Sequence, residues 1–365
     1  MTNFPPLREE LLGLKPYGAP QLDVPVQLNV NENPYGPSPA VVADVATAVA
    51  EAAGTLNRYP DREFVELRAA LAEYLSRDTP HGVAPDQVWA ANGSNEVMLQ
   101  LLQAFGGPGR VALSFAPTYS MYPEYARDTM TEWVQGHRET DFSLDLEHAR
   151  QLITERRPSV VLLPSPNNPT GTALPPEAVA VLCEAAGDGI VVVDEAYGEF
   201  RRSGTPSALE LLPQHRNLVV SRTMSKAFAL AGARLGYLAA APVICDAIRV
   251  VRLPYHLSAV TQAVALAALR HAPELLGKVD ELRKERDDTV AWLREQGWQV
   301  ADSDANFALF GTFADRHAVW QRLLDRGVLI REVGPDGWLR VSIGTAAEMI
   351  AFKEALTQVT EEGTA

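Results

Sequence analysis

The chain has 365 residues, 47% of them hydrophobic and 21% charged, with a formal net charge of −14; that length exceeds one ordinary core and predicts a large domain with a smaller one. The negative charge excludes general attraction to nucleic acid or anionic membranes, so any anionic ligand must be met by a local positive pocket. No apolar run is long enough to span a membrane and no basic segment precedes an apolar leader, which predicts a soluble, cytoplasmic protein.

A segment rich in Pro and Asn runs to about Pro39, and beyond it apolar runs of strand length alternate with amphipathic stretches of helix length. QVWAA (87–91) precedes a helix from Asn95, RVALSF (110–115) one near Tyr119, and SVVLLP (159–164) the helical PPEAVAVLCEAAG. GIVVVD (189–194), NLVVS (217–221) and GYLAAA (236–241) follow. Such runs predict a doubly wound α/β domain, its mostly parallel sheet covered by helices on both faces. From about Leu257 come two long helical segments, then strand-like FALFGT, VLIREV and WLRVSIG, then a helix after Gly344 with Thr345 as its N-cap. The expected division is an N-terminal arm over 1–30 that packs with the small domain, a large domain over 31–256 and a small α+β domain over 257–365. Cys183 and Cys245 fall in helical contexts and read as buried small hydrophobes. Neither they nor the seven histidines have ligand spacing, so no metal is expected.

Ligands of open α/β sheets sit beyond the carboxyl ends of the strands. The strands named above are followed there by NGSNE, APTYSMY, SPNNPTG, DEAY and RTMSK. Lys226, one of five lysines against 27 arginines, stands at such an end, eight positions before Arg234. Desolvation beside a cation lowers a lysine pKa far enough to make it a nucleophile toward an aldehyde. Asp194 ends an apolar strand, where an unpaired charge costs several kcal/mol, unless it caps the next helix. Gly93, Ser94 and Asn95 lie where a strand turns into a helix, either an ordinary cap or free N–H groups aimed at an anion. Asn168 reads equally as a turn residue, Tyr197 as a core ring and Tyr119 as helix-start packing.

S-x-T-x-S-K-x-F-x-L-A-G-x-R-x-G-Y over 221–237, with SPNNPTG, DEAY and NRYPD in the same order, resembles the fold-type I pyridoxal-phosphate aminotransferases. The resemblance implies that Lys226 holds the cofactor aldehyde, Asp194 its ring nitrogen, and Tyr197 and Asn168 its ring oxygen, while Tyr119 stacks on the pyridine. Gly93, Ser94, Asn95, Thr223, Ser225 and Arg234 match its phosphate ligands. Tyr59 resembles a tyrosine given to that phosphate by a second subunit, which implies a homodimer with shared sites.

LKPYGAP, LNVNENPYGPSP, RLPYHLSAVTQ and REVGPDGWLRVSIGT look like the histidinol-phosphate aminotransferase family. That resemblance implies that Tyr17, Arg331 and Arg340 bind a substrate phosphate, with Asn33 and Tyr35 as pocket residues. It also implies a ping-pong exchange between histidinol phosphate and 2-oxoglutarate within histidine biosynthesis. GPDG would turn VLIREV back on WLRVSIG so that Arg331 faces Arg340, like charges that need separate carboxylates, such as Glu332 and Asp336, or one shared anion. His256 reads as a satisfied loop histidine. The rival readings are an aromatic amino-acid aminotransferase, a phosphothreonine decarboxylase of the same fold, and a regulatory protein, which would need a DNA-binding extension that is not read before Leu28.

Overall fold

The computed structural model describes residues 6–363. In chain order, β1 (Val26–Gln27) is followed by α1 (Pro39–Ala53), α2 (Val65–Leu75), β2 (Val88–Ala91), α3 (Ser94–Phe105), β3 (Val111–Ala116), α4 (Tyr122–Asp128) and β4 (Glu132–His137). Then come α5 (Leu146–Arg156), β5 (Val160–Pro164), α6 (Pro176–Ala186), β6 (Ile190–Asp194), β7 (Leu218–Thr223), β8 (Gly236–Ala240) and α7 (Pro242–Val251). α8 (Ala259–Arg270), α9 (Ala272–Leu276) and α10 (Val279–Glu295) lead to β9 (Gln299–Val300), β10 (Phe307–Gly311) and α11 (Arg316–Asp325). The chain closes with β11 (Val328–Leu329), β12 (Leu339–Ser342) and α12 (Ala346–Glu361).

The large sheet has the order β2-β8-β7-β6-β5-β3-β4. β8 alone runs against its neighbours, so the sheet is mostly parallel as expected. Strands β5 to β8 are buried at every position, because helices cover both faces and no polar alternation is needed. β4 has no counterpart in the sequence reading: it is an edge strand, half exposed and polar, and so gives no apolar run. The helix expected near Tyr119 begins at Tyr122, which leaves Tyr119 on the loop that precedes it.

A second core surrounds the antiparallel sheet β12-β10-β9. Thr345 caps α12 as expected, in a reciprocal box with Glu348. VLIREV pairs less than a full hairpin requires: only Val328 and Leu329 form a strand, parallel to β1, and Arg331 makes one bridge to Arg340. Leu28 explains the difference, since its N–H donates to Leu329 and its carbonyl accepts from Ser342, inserting the N-terminal segment between the two strands. The small residues Ala265, Ala268 and Ala272 let α8 and α9 pack closely into the core of the large sheet, and the second core takes up at Val279.

Both cysteines are free and buried, and burial pushes their thiols up to about 12. No helix among the described residues is long and apolar enough to cross a membrane.

Candidate functional site

The carboxyl ends of β2, β3, β5, β6 and β7 open on one cavity of about 480 Å³, closed from the other side by the N-terminal segment and β12. At one end α3 begins with Gly93 at φ +89 and no side-chain cap, leaving the Ser94 and Asn95 N–H groups directed outward. A Cβ on Gly93 would lie 2.5 Å from Nη2 of Arg234, so only glycine lets that guanidinium lie over the helix start. Arg234 reaches Ser225 Oγ at 3.4 Å, and Thr223 donates to Ser225 at 3.0 Å. Helix dipole, hydroxyls and guanidinium together form an anion cradle.

Asp194 and Glu195 are adjacent and buried, yet electrostatically opposite. Burial disfavours the charge on Glu195, but Arg201 and Arg222, each at 2.8 Å, outweigh it and hold the carboxyl below its ordinary range. Asp194 has only neutral donors: Ser221 at 3.0 Å, Tyr122 at 3.1 Å and the Ala196 N–H at 3.2 Å. Burial therefore raises its pKa, and no cation contacts it among the described residues. A carboxylate so placed suits a cationic ring nitrogen supplied by a ligand.

Lys226 Nζ donates to the Val30 carbonyl at 2.8 Å. Desolvation and then the charge of Arg340 lower it to about 8, with Arg234 adding to the effect and Glu32 opposing it. Tyr197 is fixed edge-on to Phe307 and accepts from Asn31 at 3.0 Å and from Asn168 at 3.5 Å. Tyr119 faces the same cavity, with its hydroxyl 3.5 Å from Asn95 Oδ1.

The far end is cationic. Arg331 and Arg340 exchange both backbone hydrogen bonds at 2.9 Å, the expected pairing. Neither carboxylate proposed for them arrives: Glu332 pairs with Arg316 and His317, and Asp336 with Arg316. Arg340 donates to Asn168 Oδ1 and the Asn29 carbonyl, and its Nε has no partner among the described residues. Burial lowers its pKa to about 10, with Arg331 adding to the shift. Tyr17 completes this end, its hydroxyl accepting from Ser120 at 3.1 Å. Against a chain of net charge −14, four cations line the cavity as a whole, with only Asp194 and Glu32 opposing them among the described residues.

Three of the sequence-based expectations lie elsewhere. Asn33 does not line the cavity: its amide donates to the Ala227 carbonyl at 3.1 Å and its Oδ1 accepts from Tyr35, a turn within its own loop. Tyr35 is also outside, beneath the Lys278 ammonium. Tyr59 is 79% exposed and stacks on Tyr255, away from this cavity. His256 packs flat on Trp89 and its Nε2 contacts the Ala90 carbonyl, but its buried Nδ1 has no partner among the described residues, so it is a loop histidine only half satisfied. Conversely, Asn29, Asn31 and Glu32 line the cavity within the quoted LNVNENPYGPSP, and Tyr122 and Ser221 brace Asp194; only side-chain alternation in β7 could have signalled Ser221.

The residues fit pyridoxal 5′-phosphate: a lysine of lowered pKa, a buried acid lacking a cation, and an anion cradle share one cavity of suitable size. The model of the family described as aminotransferase class I and II matches residues 24–356. A histidinol-phosphate aminotransferase of Thermobifida fusca is 63% identical over 97% of this chain and 95% of its own length. One from Bifidobacterium longum is 59% identical over 98% of both. Among solved structures, the histidinol-phosphate aminotransferase of Sinorhizobium meliloti in complex with pyridoxal-5′-phosphate superposes with a TM-score of 0.82 at 26% identity, covering 93% of this chain and 92% of that one. A tetra mutant of the Thermus thermophilus aspartate aminotransferase has the same score and identity, over 98% of this chain and 99% of the other.

Proposed function

The chain belongs to the class I and II aminotransferases, within them to the histidinol-phosphate aminotransferases, and from that membership we propose that it exchanges the amino group between histidinol phosphate and 2-oxoglutarate. In the biosynthetic direction imidazole-acetol phosphate and glutamate are the substrates, in the cytoplasm. The observation that carries the choice of substrate is the pair Arg331 and Arg340, facing one cavity without a carboxylate between them. A phosphate ester with up to two negative charges suits two guanidinium forks, whereas an α-carboxylate fills one.

Pyridoxal 5′-phosphate, when bound, supplies an aldehyde that condenses with amines and a ring that accepts the electron pair left when an α-proton departs. Ser94, Asn95, Thr223, Ser225 and Arg234 would hold its phosphate; Asp194 would keep its ring nitrogen protonated; Tyr197 and Asn168 would hydrogen-bond its ring oxygen; Tyr119 would cover its face. Lys226 would hold the aldehyde. Burial and the Arg340 charge, which lower its pKa to about 8 in the cofactor-free site, favour the neutral amine, and Lys226 would then take the proton from the amine-bearing carbon of the substrate. Arg331, Arg340 and Tyr17 fix the substrate phosphate, which orients that carbon toward Lys226. Tyr59 reaches the cradle of a second copy, so the working unit is a homodimer.

Comparing kcat/KM for histidinol phosphate and for phenylalanine with 2-oxoglutarate as acceptor tests this choice. A preference of at least about 100-fold for the phosphate ester is expected from two charge-assisted contacts. A preference for phenylalanine would assign the chain to aromatic amino acids instead.

A further inference from the structure

Tyr197 serves a bound ring as donor only if its own proton points into the cavity, and nothing in a phenol alone decides that. Two amides reach its oxygen, Asn31 Nδ2 at 3.0 Å and Asn168 Nδ2 at 3.5 Å. An amide presents either N–H or C=O according to its flip, so its orientation must be read from the remaining partners.

Both orientations are settled by one strand. Ser342 Oγ accepts from the Asn31 backbone N–H at 2.8 Å and donates to Asn31 Oδ1, also at 2.8 Å. That contact leaves Asn31 Nδ2 for Tyr197. Arg340, which is only a donor, occupies Asn168 Oδ1 and leaves that Nδ2 facing Tyr197 too. Ser342 and Arg340 are two residues apart on β12 and therefore share its site-facing side. Asn31 is further held at φ +56, with its carbonyl accepting from Asn306 at 3.1 Å. The Tyr197 oxygen thus meets donors from the protein and no acceptor among the described residues.

We infer that Asn31 is a positioning residue that, locked by Ser342, compels the Tyr197 hydroxyl to donate into the cavity. The inference rests on the cofactor reading above and adds a residue to it. A phenol donating to the ring oxygen stabilises that oxygen as an anion and lowers the pH at which the lysine-bound cofactor changes its visible absorbance. Losing the orientation lets the phenol turn, and the spectral midpoint rises.

The experiment is a spectrophotometric pH titration of the cofactor-loaded dimer, without substrate, for the unsubstituted protein, Asn31→Ala and Ser342→Ala, each repeated in the Tyr197→Phe background. Ser342→Ala keeps asparagine at the αL position of residue 31, although it removes the hydroxyl that accepts that residue's backbone N–H, and serves if Asn31→Ala folds poorly. The expected result is a rise of about one pH unit in Asn31→Ala, a smaller rise in Ser342→Ala, and no further rise from either in Tyr197→Phe. Unmoved midpoints in both single variants, or equal rises with and without the Tyr197 hydroxyl, would overturn the inference alone. If the unsubstituted protein mixed with pyridoxal 5′-phosphate shows no visible absorbance, the parent reading fails and takes this one with it.

Discussion

Arg331 and Arg340 stand directly opposite each other across a two-residue bridge, like charges to which Glu332 and Asp336, the carboxylates beside the turn, are lost to Arg316 and His317. A fold tolerates such a pair where a ligand anion completes it. Replacing Arg340 with alanine is expected to raise KM for histidinol phosphate about 10- to 100-fold, the worth of one or two charge-assisted contacts. The unphosphorylated amino alcohol should respond much less, and steady-state kinetics on both substrates checks the difference.

Asp194 is buried without a cation, so its charge destabilises the cofactor-free fold. Its raised pKa means that this penalty is absent below the unfolded value of 3.8, grows as pH rises from there toward the folded value, and is constant above it. Asp194→Asn should therefore raise the Tm of the cofactor-free protein at pH 7 by a few degrees while weakening cofactor retention and abolishing most turnover. Thermal denaturation with and without pyridoxal 5′-phosphate separates the two effects.

Lys226 has its pKa lowered to about 8 from 10.5, so the unfolded chain binds more protons between those values and folding stability rises with pH across that window. Lys226→Met should stabilise the cofactor-free protein below pH 8, a gain that fades toward pH 10.5. Combination of the unsubstituted protein with pyridoxal 5′-phosphate should accelerate about tenfold per pH unit below 8 and level off above it, as measured by stopped-flow absorbance.

Tyr59 and Tyr255 stack at 4.4 Å with Leu253 and Val250 exposed beside them in the sequence, an apolar surface suited to a second copy. Sedimentation should give twice the 39.7 kDa of one chain. Tyr59→Phe should weaken cofactor affinity several-fold. Mixing it with Lys226→Ala should restore a tight site, because a mixed dimer pairs an intact Tyr59 with an intact Lys226 across the interface.

The strand ends and their loops were legible because buried parallel strands begin as apolar runs, and several give way abruptly to a polar residue such as Asp194, Ser221 or Asn92. The facing of Arg331 and Arg340 followed from the turn between them. Asn31 could not be read so directly: its role depends on Ser342, 311 positions away, and on a φ of +56 that nothing local announces. Asn33, two residues on, looked equivalent in sequence but turns to its own loop. The extent of the second core was obscured because the alanine-rich face of α8 suits either core, and only its packing on α1 assigns it.

The most direct measurement is a single half-reaction. Histidinol phosphate added to the yellow, cofactor-loaded protein without any 2-oxo acid should bleach the visible absorbance and release one equivalent of imidazole-acetol phosphate per site, and Lys226→Ala should do neither at a comparable rate. Unchanged absorbance with no keto product, or equal release from the lysine-free variant, would contradict the role given to this cavity.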